Sequence, residues 1–389
     1  MIILLNSDIC PPFYNSFTNE AITACYHEEE VIQTKGVSMN TRYQLKNLNL
    51  TNTVFLIVTP ILAITLTTYI FLTQTVSMPQ YALLIFFYFA TGFSITAGYH
   101  RLFAHRAYKA HWSVKLFFLL FGAATFQNSC LKWATDHRRH HTNVDTEEDP
   151  YNIGEGFFYA HIGWVLLKEK EKYMNQFPKD LVNDKLVMWQ HKYYLPLCAF
   201  MGLFLPGLIG MAFGSFLQGF VLAGLFRVVF VHHATFFINS LCHMVGSVTY
   251  SSEHTAKDSW IMAIFTYGEG YHNFHHTFQT DYRNGIKWFH FDPSKWIIWT
   301  LSKLGLAKNL KITAVEDIEL AKLQVQMEKK LVSSENGGLN DRLVTIFEQL
   351  RTNLMEQKRS RRLGDSDTLG QLCQQYSYLL DHFRNLSPA

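Results

Sequence analysis

Eight of the 18 histidines in this chain fall in three short runs. They read His100-Arg-Leu-Phe-Ala-His105, His137-Arg-Arg-His140-His141 and His272-Asn-Phe-His275-His276. Neutral imidazole is a common nitrogen ligand for iron, copper, nickel and zinc. Eight such ligands exceed what one ion takes, so the runs point to at least two metal ions and to redox or hydrolytic chemistry. Residues three or four apart on a helix share a face. His137 therefore points the same way as His140 and His141, and His272 the same way as His275 and His276. Each unit can present three nitrogens to one cavity, and two facing units can hold a dinuclear centre. His100 and His105 are five apart, which suits a site where the preceding helix unwinds. In Asn239-Ser-Leu-Cys-His243 the first and last residues are four apart. They add a ninth imidazole and a carboxamide, the latter better suited to holding a metal-bound water than to ligating. Carboxylates are scarce among these runs, and a neutral ligand set sits more readily near a bilayer, where buried charge is costly. The single histidines His27, His111, His191, His254, His290 and His382 are expected to be solvated loop residues. His161, His232 and His233 are expected to be satisfied polar groups.

The elements that must position these residues are membrane spans. Hydrophobic residues make up 48% of the chain and charged ones only 17%, against roughly 25% charged in ordinary globular proteins. About 20 apolar residues cross the hydrocarbon core as a helix. Four blocks qualify, at about 53–72, 81–99, 194–213 and 215–237, paired as two hairpins. The apolar stretch 113–130 lies between two histidine runs, and a crossing there would put them on opposite sides. It is read as an interfacial or re-entrant helix. Thr73 to Gln80 has no Lys or Arg, whereas His100 to Lys192 has about a dozen. The positive-inside rule then places both termini and all the histidine runs in the cytoplasm. The predicted fold is an all-α integral membrane protein: four transmembrane helices under a cytosolic helical cap that holds a dinuclear, histidine-rich site.

The expected organisation is a poorly ordered head over 1–41, a catalytic domain over 42–307 and a helical extension over 308–389. The cap is made of 100–193 and 238–307. Within the extension, 317–332, 339–355 and 368–383 read as amphipathic helices. Gly337-Gly338 and the basic run Lys358 to Arg362 separate them. The extension is expected to pack on the body or a partner, with a membrane-surface role for the basic run as the alternative. Six cysteines lack CxxC or paired spacing and are expected to be reduced thiols. A net charge of +3 gives no reason to expect nucleic acid as a partner. Met1 to Leu5 is too short for the apolar region of a cleavable signal.

Three stretches resemble the membrane fatty-acyl desaturase family, in its Δ9, stearoyl-CoA type branch. They are Thr96 to Ala110 (TAGYHRLFAHRAYKA), Trp133 to His141 (WATDHRRHH) and Gly268 to His276 (GEGYHNFHH). The likeness runs from about 50 to 305. It implies a mushroom-like fold with two irons (Fe2+) in the cap. Carried onto this sequence, the metal ligands are His100, His105, His137, His140, His141, His243, His272, His275 and His276, with Asn239 acting through water. No catalytic residue beyond these ligands is implied. The implied reaction is the O2-dependent insertion of a cis double bond into a saturated acyl group, with acyl-CoA the favoured carrier.

Because a methylene C–H bond in the middle of a hydrocarbon tail offers no acid–base handle, the oxidant must come from metal and O2. Position along the tail must then come from a kinked apolar tunnel. The resemblance implies substrate contacts at Gln127, Asn128, Trp133, Asp136, Lys168, Phe236 and Tyr88, with Phe126 and Thr235 in the tunnel wall and Phe86 beside Tyr88 at its depth. Two departures weigh against CoA. Thr135 stands where an Arg is typical, and Lys168-Glu169 replaces a basic pair. Phe236 stands where a Trp is expected. Acyl carrier protein or a glycerolipid are the alternative carriers. Related hydroxylases and alkane monooxygenases share the histidine spacing, and a non-enzymatic metal transporter is a third class. The tail has no His-Pro-Gly-Gly haem motif, so a separate electron donor is implied, of cytochrome b5 or ferredoxin type with its reductase. Zinc is expected as an adventitious occupant, because many sites bind it more tightly than Fe(II).

Overall fold

The computed structural model describes residues 43–333 and 337–386. The predicted head over 1–41, with Cys10, Cys25 and His27, lies outside the described residues. Residues up to Leu48 form a unit of their own, whose described part holds the short 3-10 turn Leu45–Asn47. All that follows concerns the second unit, Asn49–Ala389.

Four helices are long and apolar enough to cross a membrane: α1 (Leu50–Thr73), α2 (Met78–Ala104), α5 (Tyr194–Ala212) and α6 (Phe216–Met244). The 24 residues of α1 reach about 36 Å at 1.5 Å per residue, enough for a hydrocarbon core of about 30 Å. Ile57, Ile61 and Ile64 are exposed along it, as a lipid-facing surface requires. At the turn end of the two hairpins, polar side chains close the backbone. Gln80 donates to the carbonyls of Gly210 (2.8 Å) and Ser215 (3.1 Å), and Gln218 to that of Thr75 (3.1 Å). Within the bilayer such groups have no water to turn to.

Between the hairpins lies α3 (Trp112–Ala123), the expected non-spanning helix. Its 12 residues reach only about 18 Å. It packs tightly on α2, because a Cβ at Gly98 would stand 2.7 Å from the Phe118 Cβ. After α3 the backbone turns sharply through Phe126 (φ 59°) and Asn128 (φ 76°) into α4 (Cys130–Thr142). This turn is tied to α6 by Arg227. Its buried guanidinium donates to the carbonyls of Ala124 (2.7 Å), Gly202 (2.8 Å) and Ala223 (3.1 Å).

The second span corrects one expectation. It does not unwind before the first histidine run. From Ser94 to Ala104 it widens into a π-helix, with the His105 amide donating to the His100 carbonyl at 3.0 Å. In an i→i+5 ladder, residues five apart come to lie over one another, so His100 and His105 share a face without a break. Such widened turns recur at functional sites.

The cap is closed by α7 (His272–Thr277) and α8 (Pro293–Lys303). A two-residue antiparallel pair, β1 (Lys109–Ala110) with β2 (Ala307–Lys308), fastens the end of this body to the loop after α2. The extension then forms α9 (Val315–Val332), α10 (Gly337–Leu363) and α11 (Ser366–Asn385). They share a core of Leu323, Met327, Leu343, Phe347, Leu350 and Phe383.

The basic run does not separate helices, contrary to expectation. It is the last turn of α10, where Lys and Arg propagate the helix and complement its dipole. The break comes at Gly364, at φ 73°. Lys358 and Arg361 are engaged by Asp317 (2.6 Å) and Glu316 (2.7 Å) on α9. Cys130, Cys198, Cys242 and Cys373 are free thiols.

Candidate metal centre

The nine imidazoles collect in two groups. His100, His105, His137, His141 and His275 form one, and His140, His243, His272 and His276 the other, each with its ligand atoms within 4.8 Å of one another. The π-segment of α2 supplies His100 and its C-cap is His105, α4 supplies the next three, the last turn of α6 His243, and α7 the rest. Ser129 caps α4 by accepting from the Lys132 amide at 3.3 Å, which sets the start of the helix and the phase of its histidines.

The ring nitrogens face inward in close pairs. Nε2 to Nε2 separations are 3.0 Å for His100 and His275, 2.8 Å for His105 and His137, 3.1 Å for His137 and His141, and 3.3 Å for His140 and His276. Four of the outer nitrogens are engaged elsewhere, while Nδ1 of His141 and of His272 is buried without a partner among the described residues. Nδ1 of His100 lies 2.9 Å from Glu269, that of His140 2.8 Å from Asp149, that of His137 3.2 Å from the Tyr151 hydroxyl, and that of His243 2.7 Å from the Thr255 hydroxyl. A carboxylate accepts the Nδ1 proton of His100 and of His140, which leaves their Nε2 lone pairs pointing inward. Lone pairs facing one another at such distances repel unless a cation lies among them. Nε2 of His243 is buried without a protein partner. Burial and the neighbouring imidazoles hold His105, His137, His141, His272, His275 and His276 well below the ordinary histidine range. They stay neutral, as ligation requires. The donor set therefore fits two metal ions.

Behind the first group stands a buried charge network. Arg101 bridges Glu269 (2.8 Å) and Asp292 (2.9 Å), and Asn284 donates to Glu269 at 2.6 Å. Burial would push the Glu269 carboxyl up, but Arg101 and His100 outweigh it and bring it down to about 2. In front, a cavity walled by Phe55, Ile95, Phe126, Trp133, Trp164 and Phe236 is also lined by His100 and His137.

Residues 78–306 match the sequence pattern of the fatty acid desaturase family. The chain belongs to this family. It is 43% identical over 258 residues to Acyl-CoA desaturase 1 of Saccharomyces cerevisiae, covering 66% of this chain and 50% of that protein. The same identity and span hold for the probable acyl-CoA desaturase of Schizosaccharomyces pombe, of which 53% is covered. Stearoyl-CoA desaturase of Homo sapiens is 37% identical over 233 residues, 58% of this chain and 65% of that protein. The chain thus spans about half the length of the two yeast relatives.

Within this desaturase-family body, Gln127, Asn128, Trp133, Asp136, Thr235, Phe236 and Asn239 line the cavity together with His100 and His137. Tyr88, Phe86 and Lys168 are not among the lining residues. The Tyr88 ring packs on Tyr267, 5.1 Å away, Phe86 is half-exposed, and Lys168 is exposed. His161 and His233 are partnered with each other at 3.0 Å, and His232 with the Thr125 carbonyl at 2.6 Å.

His111 and His382 are exposed as expected, but three other single histidines are not solvated loop residues. His191 meets Ser129 at 2.7 Å, His290 stacks on Tyr271, and His254 lies against His276. In each case a partner distant in sequence covers the ring.

Sequence reasoning also passed over Glu269, Asp292 and Arg101, although Gly268-Glu-Gly and His100-Arg lay inside the quoted stretches. It passed over Lys132 and Arg139 as well. They flank Asp136 at 2.9 and 3.2 Å and Glu169 at 2.5 and 3.3 Å, a charge-balanced cluster that meets the cavity through Asp136.

Proposed function

We propose that this protein is a membrane di-iron desaturase that places a cis double bond, at Δ9, in a saturated acyl group presented as acyl-CoA. The observation that carries the proposal is the largely apolar cavity whose lining includes the imidazoles of His100 and His137. A hydrocarbon tail is what such a slot accepts, and one of its inner methylene groups is what the slot would bring to the metals. The names of the yeast and human relatives support the acyl-CoA carrier. When bound, the two irons supply O2 activation, the one chemistry here that no amino-acid side group provides. Two hydrogens leave the acyl group, and with two electrons and two protons from a donor they reduce O2 to two waters.

The protein's share is placement. Phe126, Trp133 and Phe236 wall the hydrocarbon and exclude water, which fixes the carbons that meet the oxidant. Asn239, at the cavity side of the histidines, would hold a metal-bound water. The amide oxygen of Gln127 is buried and unpartnered, while its nitrogen donates to Thr235 at 3.0 Å. It would accept from an amide N–H of the pantetheine arm. Lys132 and Arg139 would meet the CoA phosphates by exchanging Asp136 and Glu169 for them, since charge-assisted contacts to phosphate are strong.

Electrons would come from a separate cytochrome b5 or ferredoxin type donor with its reductase, docking on the basic cap. The distribution of Lys and Arg supports a cytoplasmic cap and termini. On this reading 42–307 is the catalytic domain and 308–389 an appended helical domain.

The test is gas chromatography–mass spectrometry of fatty acids from a desaturase-deficient host expressing the protein. New Δ9 monounsaturated acids are the expected result. Hydroxylated acids would assign it to the related hydroxylases, and no new product in the presence of donor would count against the reading. Lipid-class analysis of a short pulse, with label first in acyl-CoA rather than in glycerolipid or acyl carrier protein, tests the carrier.

A further inference from the structure

His254 lies on the loop between α6 and the third histidine run, and the two metal groups are unequal on that side. The first group has five imidazoles and the second four. The His254 ring stands 5.1 Å from that of His276, a member of the smaller group. Both of its ring nitrogens are buried and, among the described residues, neither has a hydrogen-bond partner. A neutral imidazole carries one donor and one acceptor, and leaving a buried polar atom unpaired costs about 1–3 kcal/mol.

No side chain among the described residues hydrogen-bonds this ring, yet the loop that carries it is firmly held. The Thr255 amide and hydroxyl both donate to Asp145, each at 2.7 Å, and the same hydroxyl meets Nδ1 of His243. The ring is therefore fixed beside the second group with its hydrogen-bonding capacity unspent. Ser252, Glu253 and Thr255 around it are exposed, so it covers the solvent side of that group. Asn239 lines the cavity, which His254 does not.

We propose that His254 is an auxiliary nitrogen ligand for the metal held by His140, His243, His272 and His276, retaining it on the solvent side. The inference rests on the dimetal reading of the two groups. It assigns a role to a residue outside the three runs, and it predicts unequal hold on the two ions when the residue is removed.

The test uses the full-length protein in detergent, loaded anaerobically with Fe(II), with the ions counted by mass spectrometry and their release to excess ferrozine followed in time. Wild type should hold two ions. In His254→Ala one of the two should leave about tenfold faster or more, the range seen when groups around a metal site are removed. The other ion should leave at the wild-type rate, as should both ions in the control His382→Ala. A second variant, His254→Cys loaded with Co(II), should show thiolate-to-cobalt charge-transfer absorption that wild type lacks. Release of both ions from His254→Ala at the wild-type rate, or no such band in His254→Cys, overturns the assignment. Fewer than two ions in wild type would instead overturn the dimetal reading, and this inference with it.

Discussion

His275 stands within 3.0 Å of both His100 and His141 through the same nitrogen. Removing it takes one of five nitrogens from the first group and leaves its neighbours facing a gap. His275→Ala, and likewise His140→Ala in the second group, should abolish desaturation while the protein still inserts. Membrane fractionation with metal analysis checks this, and an active variant with normal metal content would overturn the ligand assignment.

His105, His137, His141, His272, His275 and His276 fix a pH window. An unfolded histidine takes a proton below about 6.5, whereas burial and mutual repulsion keep these six neutral. The unfolded state thus binds more protons as pH falls, so stability is complete above about 6.5 and declines below it. Glu269, held down to about 2, stays charged throughout this range. Metal content and melting temperature should fall together from about pH 6.5 downward, and a flat profile to about pH 5 would contradict the neutral-ligand arrangement. At this scale the nine imidazoles were legible because their spacing is local. Glu269 and His254 were not, because what defines them is a partner in another segment. Glu269 serves His100, 169 positions before it in the sequence, and no period or run announces that.

Elements were legible in proportion to their length and apolarity. The four spans follow from hydropathy, and their ends differ from expectation by a few residues, most at the C-terminal end of α6. The π-widening of α2 was hidden, since the one helix-weakening residue from Ser94 to Ala104, Gly98, is accounted for by its close approach to Phe118. Also hidden was the seat of the extension. Ile318 of α9 is buried against Tyr250 and Phe274, and Phe274 lies between His272 and His275 on α7. A helix outside the family match thus buttresses the third histidine run. Ile318→Ala should lower stability by about 2–5 kcal/mol, the usual range for such truncations, and loosen metal at α7 without affecting insertion. Thermal melting with and without bound metal measures both. An unchanged melting temperature would show that α9 merely rests on the cap.

At the scale of the molecule, Arg227 has a consequence for how the protein is made. It is the single fully buried cation of the last span, and no carboxylate pairs with it among the described residues. Left in lipid, an arginine at mid-span resists insertion by about 2.5–3.5 kcal/mol. Its acceptors, the carbonyls of Ala124, Gly202 and Ala223, all precede it in the sequence. When ribosomal synthesis reaches Arg227 its partners have already emerged, so the final helix can enter against a waiting surface instead of bare hydrocarbon. Replacing α5 with polyleucine should remove part of that surface, and a glycosylation tag after α6 would then be modified in the lumen. If the tag remained unmodified, α6 would be shown to insert on its own hydrophobicity, with assembly following afterwards.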